Sequence, residues 1–121
     1  RFADPLPIGV LDYAVEVPGH PDDLVPYTPP DAAEPALQYH GASHTLGGLV
    51  EQAHDRARQL GAGPGTRLLV STQDLRSALL DALLVPLVVG GSSVLVRHED
   101  AAGRDTRVAS ERVTVVPPAA P

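Results

Sequence analysis

The sequence predicts an α/β fold, a parallel sheet in the order β-α-β-α-β-α-β, and three observations support it. Short apolar runs alternate with stretches in which apolar residues recur every third or fourth position, the spacing of one helix face. Glycine and proline stand between these stretches, where turns are expected. Strands that alternate with helices of about 10–15 residues favour right-handed crossovers between parallel strands.

Four strands are predicted near residues 36–39, 67–71, 93–97 and 113–116, with helices near 46–60 and 75–89 and a weaker, more polar helix from Asp100 to Glu111. Gly61 and Pro64 end the first helix. Asp74 is placed to cap the second, and Pro86 should kink its last turn because it lacks an N–H donor. The 67–71 strand is so apolar that we expect both of its faces to be buried.

The chain divides into three parts. Residues 1–34 form a Pro-rich, acidic lead-in, in which Ile8 to Val17 has the spacing of a short helix and residues 18–35 are expected to be irregular. Residues 35–117 form the α/β part and 118–121 a tail. Because the chain opens on Arg1 rather than Met, we expect it to be a fragment of a longer protein.

Composition excludes several classes of function. All nine basic residues are Arg, which removes a P-loop lysine or a Schiff base, and the absence of Cys removes thiolate nucleophiles and Cys-ligated zinc. Residues 1–35 carry the whole net charge of −6, so we expect no basic patch for nucleic acid or anionic lipid. No stretch reaches the roughly 20 apolar residues of a membrane span, and we expect a cytoplasmic protein.

Two patterns of polar residues suggest chemistry, and each has a simpler explanation. His40 and His44 have the spacing of two metal ligands on a helix, but Gly41 places them in a loop, so no metal site is expected. Ser43 with His44, or His54 with Asp55, could form a hydrolytic pair, but neighbouring residues seldom face each other. We therefore expect no catalytic residue.

Two segments follow predicted strands, where doubly wound sheets bind ligands. The first, Gly41 to Gly48, precedes a helix and could bind an anion; the alternative is a connecting loop. The second, Arg97-His98-Glu99-Asp100, could line the same edge, whereas a solvated turn with Asp100 as a helix cap is the simpler interpretation.

The order of these elements resembles the adenylate-forming (AMP-binding, acyl-CoA synthetase-like) ligases. In that family a strand leads into the phosphate loop T-S-G-[ST]-T-G-x-P-K-G, and residues 39–48, YHGASHTLGG, stand in its place. Residues 60–69, LGAGPGTRLL, resemble a later turn of the family, and residues 111–115, ERVTV, its following strand. The match covers residues 35–117. This part of the chain is also similar to the C-terminal half of the members of a short family of uncharacterised bacterial proteins, which are truncated relatives of these ligases.

The resemblance implies a degenerate fragment without turnover. Gly47 stands where the family has the phosphate-loop lysine, and the later catalytic motifs would lie beyond Pro121. By resemblance only, a residual nucleotide site would use Gly41, Ser43, Thr45, Gly47 and Gly48. No cofactor is expected; only the resemblance suggests ATP or AMP as a ligand. The expected role is structural or binding, with the missing N-terminal half of the same protein as partner, or with self-association. The alternative is part of an ATP-dependent acyl-adenylating ligase whose catalytic residues lie outside this chain.

Overall fold

The protein is described here by a computed structural model that covers residues 7–21, 23 and 27–118. This part of the chain is a mixed α/β structure with two small sheets. Strands β1 (Pro35–Tyr39) and β2 (Ala42–Thr45) form an antiparallel hairpin, and strands β3 (Arg67–Val70) and β4 (Ser92–Leu95) form a parallel pair. The α/β class is confirmed, but the described residues do not form the predicted continuous parallel sheet, because β1 pairs with β2 instead.

A two-residue turn at His40 and Gly41 reverses the chain between β1 and β2. Both residues have positive φ, 47° and 79°, and Tyr39 pairs directly with Ala42 across the turn. Two consecutive left-handed residues define the tight hairpin turn that matches the twist of antiparallel strands. The segment predicted as an open loop is therefore a turn followed by a strand.

Helix α2 (Leu46–Leu60) has the bounds that the sequence predicts. Thr45 caps its start by accepting a hydrogen bond from the N–H of Gly48, and Gly61 ends it in the left-handed conformation, with φ of 63°. Ala53 and Ala57 form its buried face. Small side chains on this face allow close packing against a neighbouring helix.

The helix of residues 75–89 has three consecutive parts: α3 (Leu75–Ala78), a π segment (Leu79–Leu84) and α4 (Val85–Val89). Asp74 caps its start, as predicted. Immediately before Pro86 the helix widens, since the N–H of Val85 donates to the carbonyl of Leu80, five residues earlier. A kink at Pro86 itself stays a prediction.

Ser93 satisfies a carbonyl that Pro86 leaves without its helical donor. In a regular helix the N–H of residue 86 would bond to the carbonyl of Ala82, and proline has no N–H. The hydroxyl of Ser93 in β4 donates to that carbonyl at 2.5 Å. The helix is thereby joined to the strand that follows it.

Strand β3 lies between β4 and a single bridge to Val115. Leu68 pairs in parallel with Val115, whose carbonyl accepts from the N–H of Leu69 at 3.0 Å. The predicted fourth strand is thus reduced to one bridge among the described residues, and Pro117 and Pro118 follow it, without the N–H donors that would extend a ladder.

The core is small and centred on β3. Leu68, Leu69 and Val70 are all buried. Because successive strand residues point to opposite faces, this confirms that β3 is covered on both. Leu68 and Val70 pack with Ala57 of α2 and Val85 of α4.

The remaining elements are short. Asp12 caps α1 (Tyr13–Glu16), which is shorter than the helix predicted from Ile8 to Val17, and a 3-10 turn, Val17–Gly19, follows it. The described residues from 20 to 34 contain neither helix nor strand. The helix predicted from Asp100 to Glu111 is a 3-10 turn, Ala101–Gly103, followed by α5 (Arg104–Ser110).

Candidate functional site

The five residues predicted as a phosphate site are divided between the hairpin and the start of α2. Gly41 lies in the turn and Ser43 in β2. Thr45 is the cap of α2, and Gly47 and Gly48 belong to its first turn. They do not form one glycine-rich loop around an open space.

The N–H groups at the start of α2 already have acceptors within the chain. Those of Leu46 and Gly47 donate to carbonyls of residues 34 and 32 at 2.9 and 2.8 Å, and that of Gly48 donates to the Thr45 hydroxyl at 3.2 Å. An anion at a helix start requires such N–H groups to be available. Nucleotide binding here stays a prediction, and these bonds weigh against it.

A cavity of about 300 Å³ lies at the carboxyl ends of the parallel strands β3 and β4. Thr72, Gln73 and Asp74 line it after β3, and Arg97 and His98 line it after β4. Leu75, Ala78 and Leu95 provide apolar walls. Parallel α/β sheets bind their ligands at this edge, so we take this cavity as the candidate site.

The carboxylate of Asp74 is held by donors on both sides. Its two oxygens accept from the N–H of Ser77 at 2.7 Å and from the hydroxyl of Tyr39 at 3.3 Å. Hydrogen bonding by Ser77, from its side chain and its backbone, lowers the pKa of Asp74, and the Tyr39 hydroxyl acts in the same direction. Asp74 is therefore ionised at neutral pH, and its negative charge is directed toward partners within the fold.

Another part of the cavity wall presents the cation Arg97. Among the described residues the guanidinium of Arg97 has neither a hydrogen bond nor an ion pair. His98 follows it with φ of 54°, a left-handed conformation that is uncommon for residues other than glycine. Glu99 lies 3.6 Å from Arg104 and Asp100 caps the following turn, so the acids nearest in sequence have other partners.

A second feature, outside the lining of this cavity, is an ion pair between α2 and the π segment. Nε and Nη2 of Arg56 in α2 donate to the two oxygens of Asp81 in the π segment, each at 2.8 Å. Only 5% of Asp81 is exposed, and hydrogen bonding to Asp81 raises the pKa of Arg56. No short-range sequence pattern identifies this pair. The available signal was that Asp81 is the only polar residue from Leu79 to Val89.

The two hydrolytic pairs are not assembled in the structure. Ser43 and His44 are consecutive residues of β2, so their side chains point to opposite faces of the hairpin. Asp55 forms an ion pair with Arg58 on the exposed side of α2, and no bond joins it to His54 among the described contacts.

Over the described ranges no three His, Asp or Glu side chains group as metal ligands, and no helix is long and apolar enough to cross a bilayer.

The described residues form a small mixed α/β module with a cavity of mixed polar and apolar lining at the carboxyl edge of a parallel strand pair. No family model matches the sequence. A protein of Mycobacterium tuberculosis described as a TIGR03089 family protein is 34% identical over 122 residues. The alignment covers 96% of this chain and 45% of the relative, so the chain spans less than half the length of the protein that it matches.

These comparisons overturn the resemblance to adenylate-forming ligases. No family model of those enzymes matches, and the description of the relative contains nothing that indicates an adenylate-forming ligase. The structure adds a physical reason, because the segment taken for a phosphate loop is a hairpin and a capped helix start. Short glycine- and hydroxyl-rich segments are common to many turns, so their order along the chain does not by itself identify a family.

Proposed function

We propose that this chain is a non-catalytic structural module whose outer helix face docks against the rest of a longer protein. The observation that carries the proposal is the surface of the 75–89 helix that points away from the core. Leu83 and Leu87, four residues apart on this surface, are 49% and 69% exposed. We call these two residues the outer leucine face.

No polar side chain of residues 79–89 lies on the outer leucine face. The sequence of this stretch is LLDALLVPLVV, and its one polar residue, Asp81, is buried against Arg56. Val85 and Pro86 are buried on the inner side. A helix that is apolar on all sides is normally covered by protein on all sides. The outer side of this helix has no such cover among the described residues.

The rest of the polypeptide is the occupant that the observations favour. The alignment with the Mycobacterium tuberculosis relative leaves more than half of that protein outside the match, enough for a further layer. The absence of Lys and Cys, and the two polar pairs that do not meet, support a role without turnover. A second copy of the chain is the alternative occupant.

The proposal is tested by comparing one substitution in two contexts. In the isolated chain, at a dilution where it is monomeric, Leu87→Ser should change the free energy of unfolding by no more than about 0.5 kcal/mol, because the side chain is exposed. In the product of the complete reading frame the same change should cost about 2–4 kcal/mol, as for a buried leucine. Leu11→Ser, in the exposed lead-in, is the control and should be neutral in both. Equal effects of Leu87→Ser in the two contexts would contradict docking.

A further inference from the structure

The cavity at the carboxyl edge combines a cationic wall with an apolar wall. Arg97 and His98 provide N–H donors on one side, and Leu75 and Leu95 provide apolar surface on the other. Leu75 and Leu95 are both exposed, although they line a concave surface. A pocket of this composition matches a ligand that has one charged end and one apolar side.

The unpaired charge of the cavity is positive. Asp74 directs its two oxygens to Ser77 and Tyr39, whereas Arg97 has no partner among the described residues. A guanidinium offers a planar pair of donors that fits the oxygens of a carboxylate or a phosphate. The charge that the site lacks is therefore that of an anion.

The backbone on the cationic wall is held in place by the strand before it. The N–H of Val96 donates to the carbonyl of Val70 at 2.9 Å, which extends the parallel pairing to the residue before Arg97. The left-handed conformation of His98 then turns the chain away from the strand direction.

We propose that this cavity binds a small organic anion, with its carboxylate or phosphate head group on Arg97 and His98 and its apolar part against Leu75, Ala78 and Leu95. The volume of about 300 Å³ is at the lower end of the range for small-molecule sites, which fits a single ring with a head group. The proposal does not depend on docking of the outer leucine face, because none of its residues is Leu83 or Leu87.

The test is an NMR titration of the isolated whole chain with phenyl phosphate and, separately, with benzoate, which distinguishes the two head groups. Saturable amide shifts at Leu75, Leu95, Arg97 and His98 with either probe are expected. Benzyl alcohol, which lacks the charge, and inorganic phosphate, which lacks the ring, should bind at least about tenfold more weakly, as expected for loss of one charged hydrogen bond or of the apolar contact.

Variants distinguish binding in this cavity from non-specific electrostatic attraction of anions to the protein surface. Arg97→Gln should weaken binding about tenfold or more, and Arg58→Gln, which removes the same charge from the exposed side of α2, by less than about twofold. Leu95→Ser tests the apolar wall and should also weaken binding, with the spectrum of each free variant showing that it is folded. Shifts that do not saturate, equal losses in Arg97→Gln and Arg58→Gln, or equal binding of inorganic phosphate and phenyl phosphate would overturn the proposal.

Discussion

Arg56 and Asp81 are joined by two parallel hydrogen bonds of 2.8 Å, and this ion pair connects α2 to the π segment of the neighbouring helix. Asp81 is almost fully buried, while 23% of the Arg56 side chain remains exposed. A buried carboxylate is stable only when its charge and its lone pairs are satisfied. The pair therefore fixes the contact between the two helices on which the module depends.

Removing the negative charge of this pair should destabilise the fold. Asp81→Asn keeps the shape of the side chain but leaves Arg56 without a counter-ion, and we expect a loss of about 2–3 kcal/mol, reduced from the fully buried case because Arg56 reaches solvent. Urea unfolding measures the loss. Asp55→Asn removes the same charge from the exposed pair with Arg58 and should cost no more than about 0.5 kcal/mol. Similar losses in the two variants would contradict the role assigned to Asp81.

Gly91 is required where the 75–89 helix meets β4. A Cβ atom at this position would clash with the backbone carbonyl oxygen of Thr66, so the backbone would have to move. We expect Gly91→Ala to destabilise the protein by about 1–3 kcal/mol, the usual range for overpacking. Gly63→Ala is the control, because a Cβ there meets no atom within 4 Å. A thermal melt in which Gly63→Ala is the more damaging change would contradict this reading.

Asp74 should contribute to the acid sensitivity of the fold. Its pKa is lowered in the folded state, so its stabilising effect is present above the pKa of the unfolded chain and is lost as the pH falls through the lower folded pKa. Asn also caps helices but carries no charge to titrate. The melting temperature of Asp74→Asn should therefore fall less between pH 6 and pH 3 than that of the unsubstituted chain. An equal or larger fall in Asp74→Asn would show that its hydrogen bonds do not favour the charged form.

The isolated chain should self-associate through the outer leucine face. Exposed apolar surface without polar residues promotes association when its natural cover is absent. Static light scattering should show a molar mass that rises with concentration, and the Leu83→Ser, Leu87→Ser double variant should reduce this rise without loss of stability. The control is the Asp55→Ser, Arg58→Ser double variant on the exposed side of α2, which removes no apolar surface and keeps the net charge, and it should leave the rise unchanged. A chain that stays monomeric at all concentrations would contradict this expectation.

Local sequence signals predicted most of the secondary structure. The bounds of α2, its glycine end, the cap at Asp74 and the buried β3 all follow from capping residues and apolar spacing. These features depend on neighbours in sequence, which is why periodicity captures them. The pairing of β1 depends instead on the turn at His40 and Gly41. There a histidine adopts a positive φ, which its residue type alone does not predict.

The sequence predicts only some of the residues that line the candidate site. Arg97 and His98 were recognised as residues that follow a strand, but the cavity also needs Leu75, Leu95 and the end of β3, which are distant in sequence. Likewise, the partnership of Asp81 with Arg56 spans 25 residues and two helices. Such contacts arise from packing, and no short-range pattern specifies them.

The most direct test of docking measures the chemical accessibility of one position on the outer leucine face. Because the chain contains no Cys, Leu87→Cys introduces a single thiol whose reaction with a maleimide can be timed. Ser110→Cys, on the exposed side of α5, provides the reference rate. In the product of the complete reading frame the thiol at position 87 should react at least about tenfold more slowly than in the dilute isolated chain, while the reference rate is unchanged. Equal rates at position 87 in both proteins would contradict the proposal that this face is covered by the rest of the polypeptide.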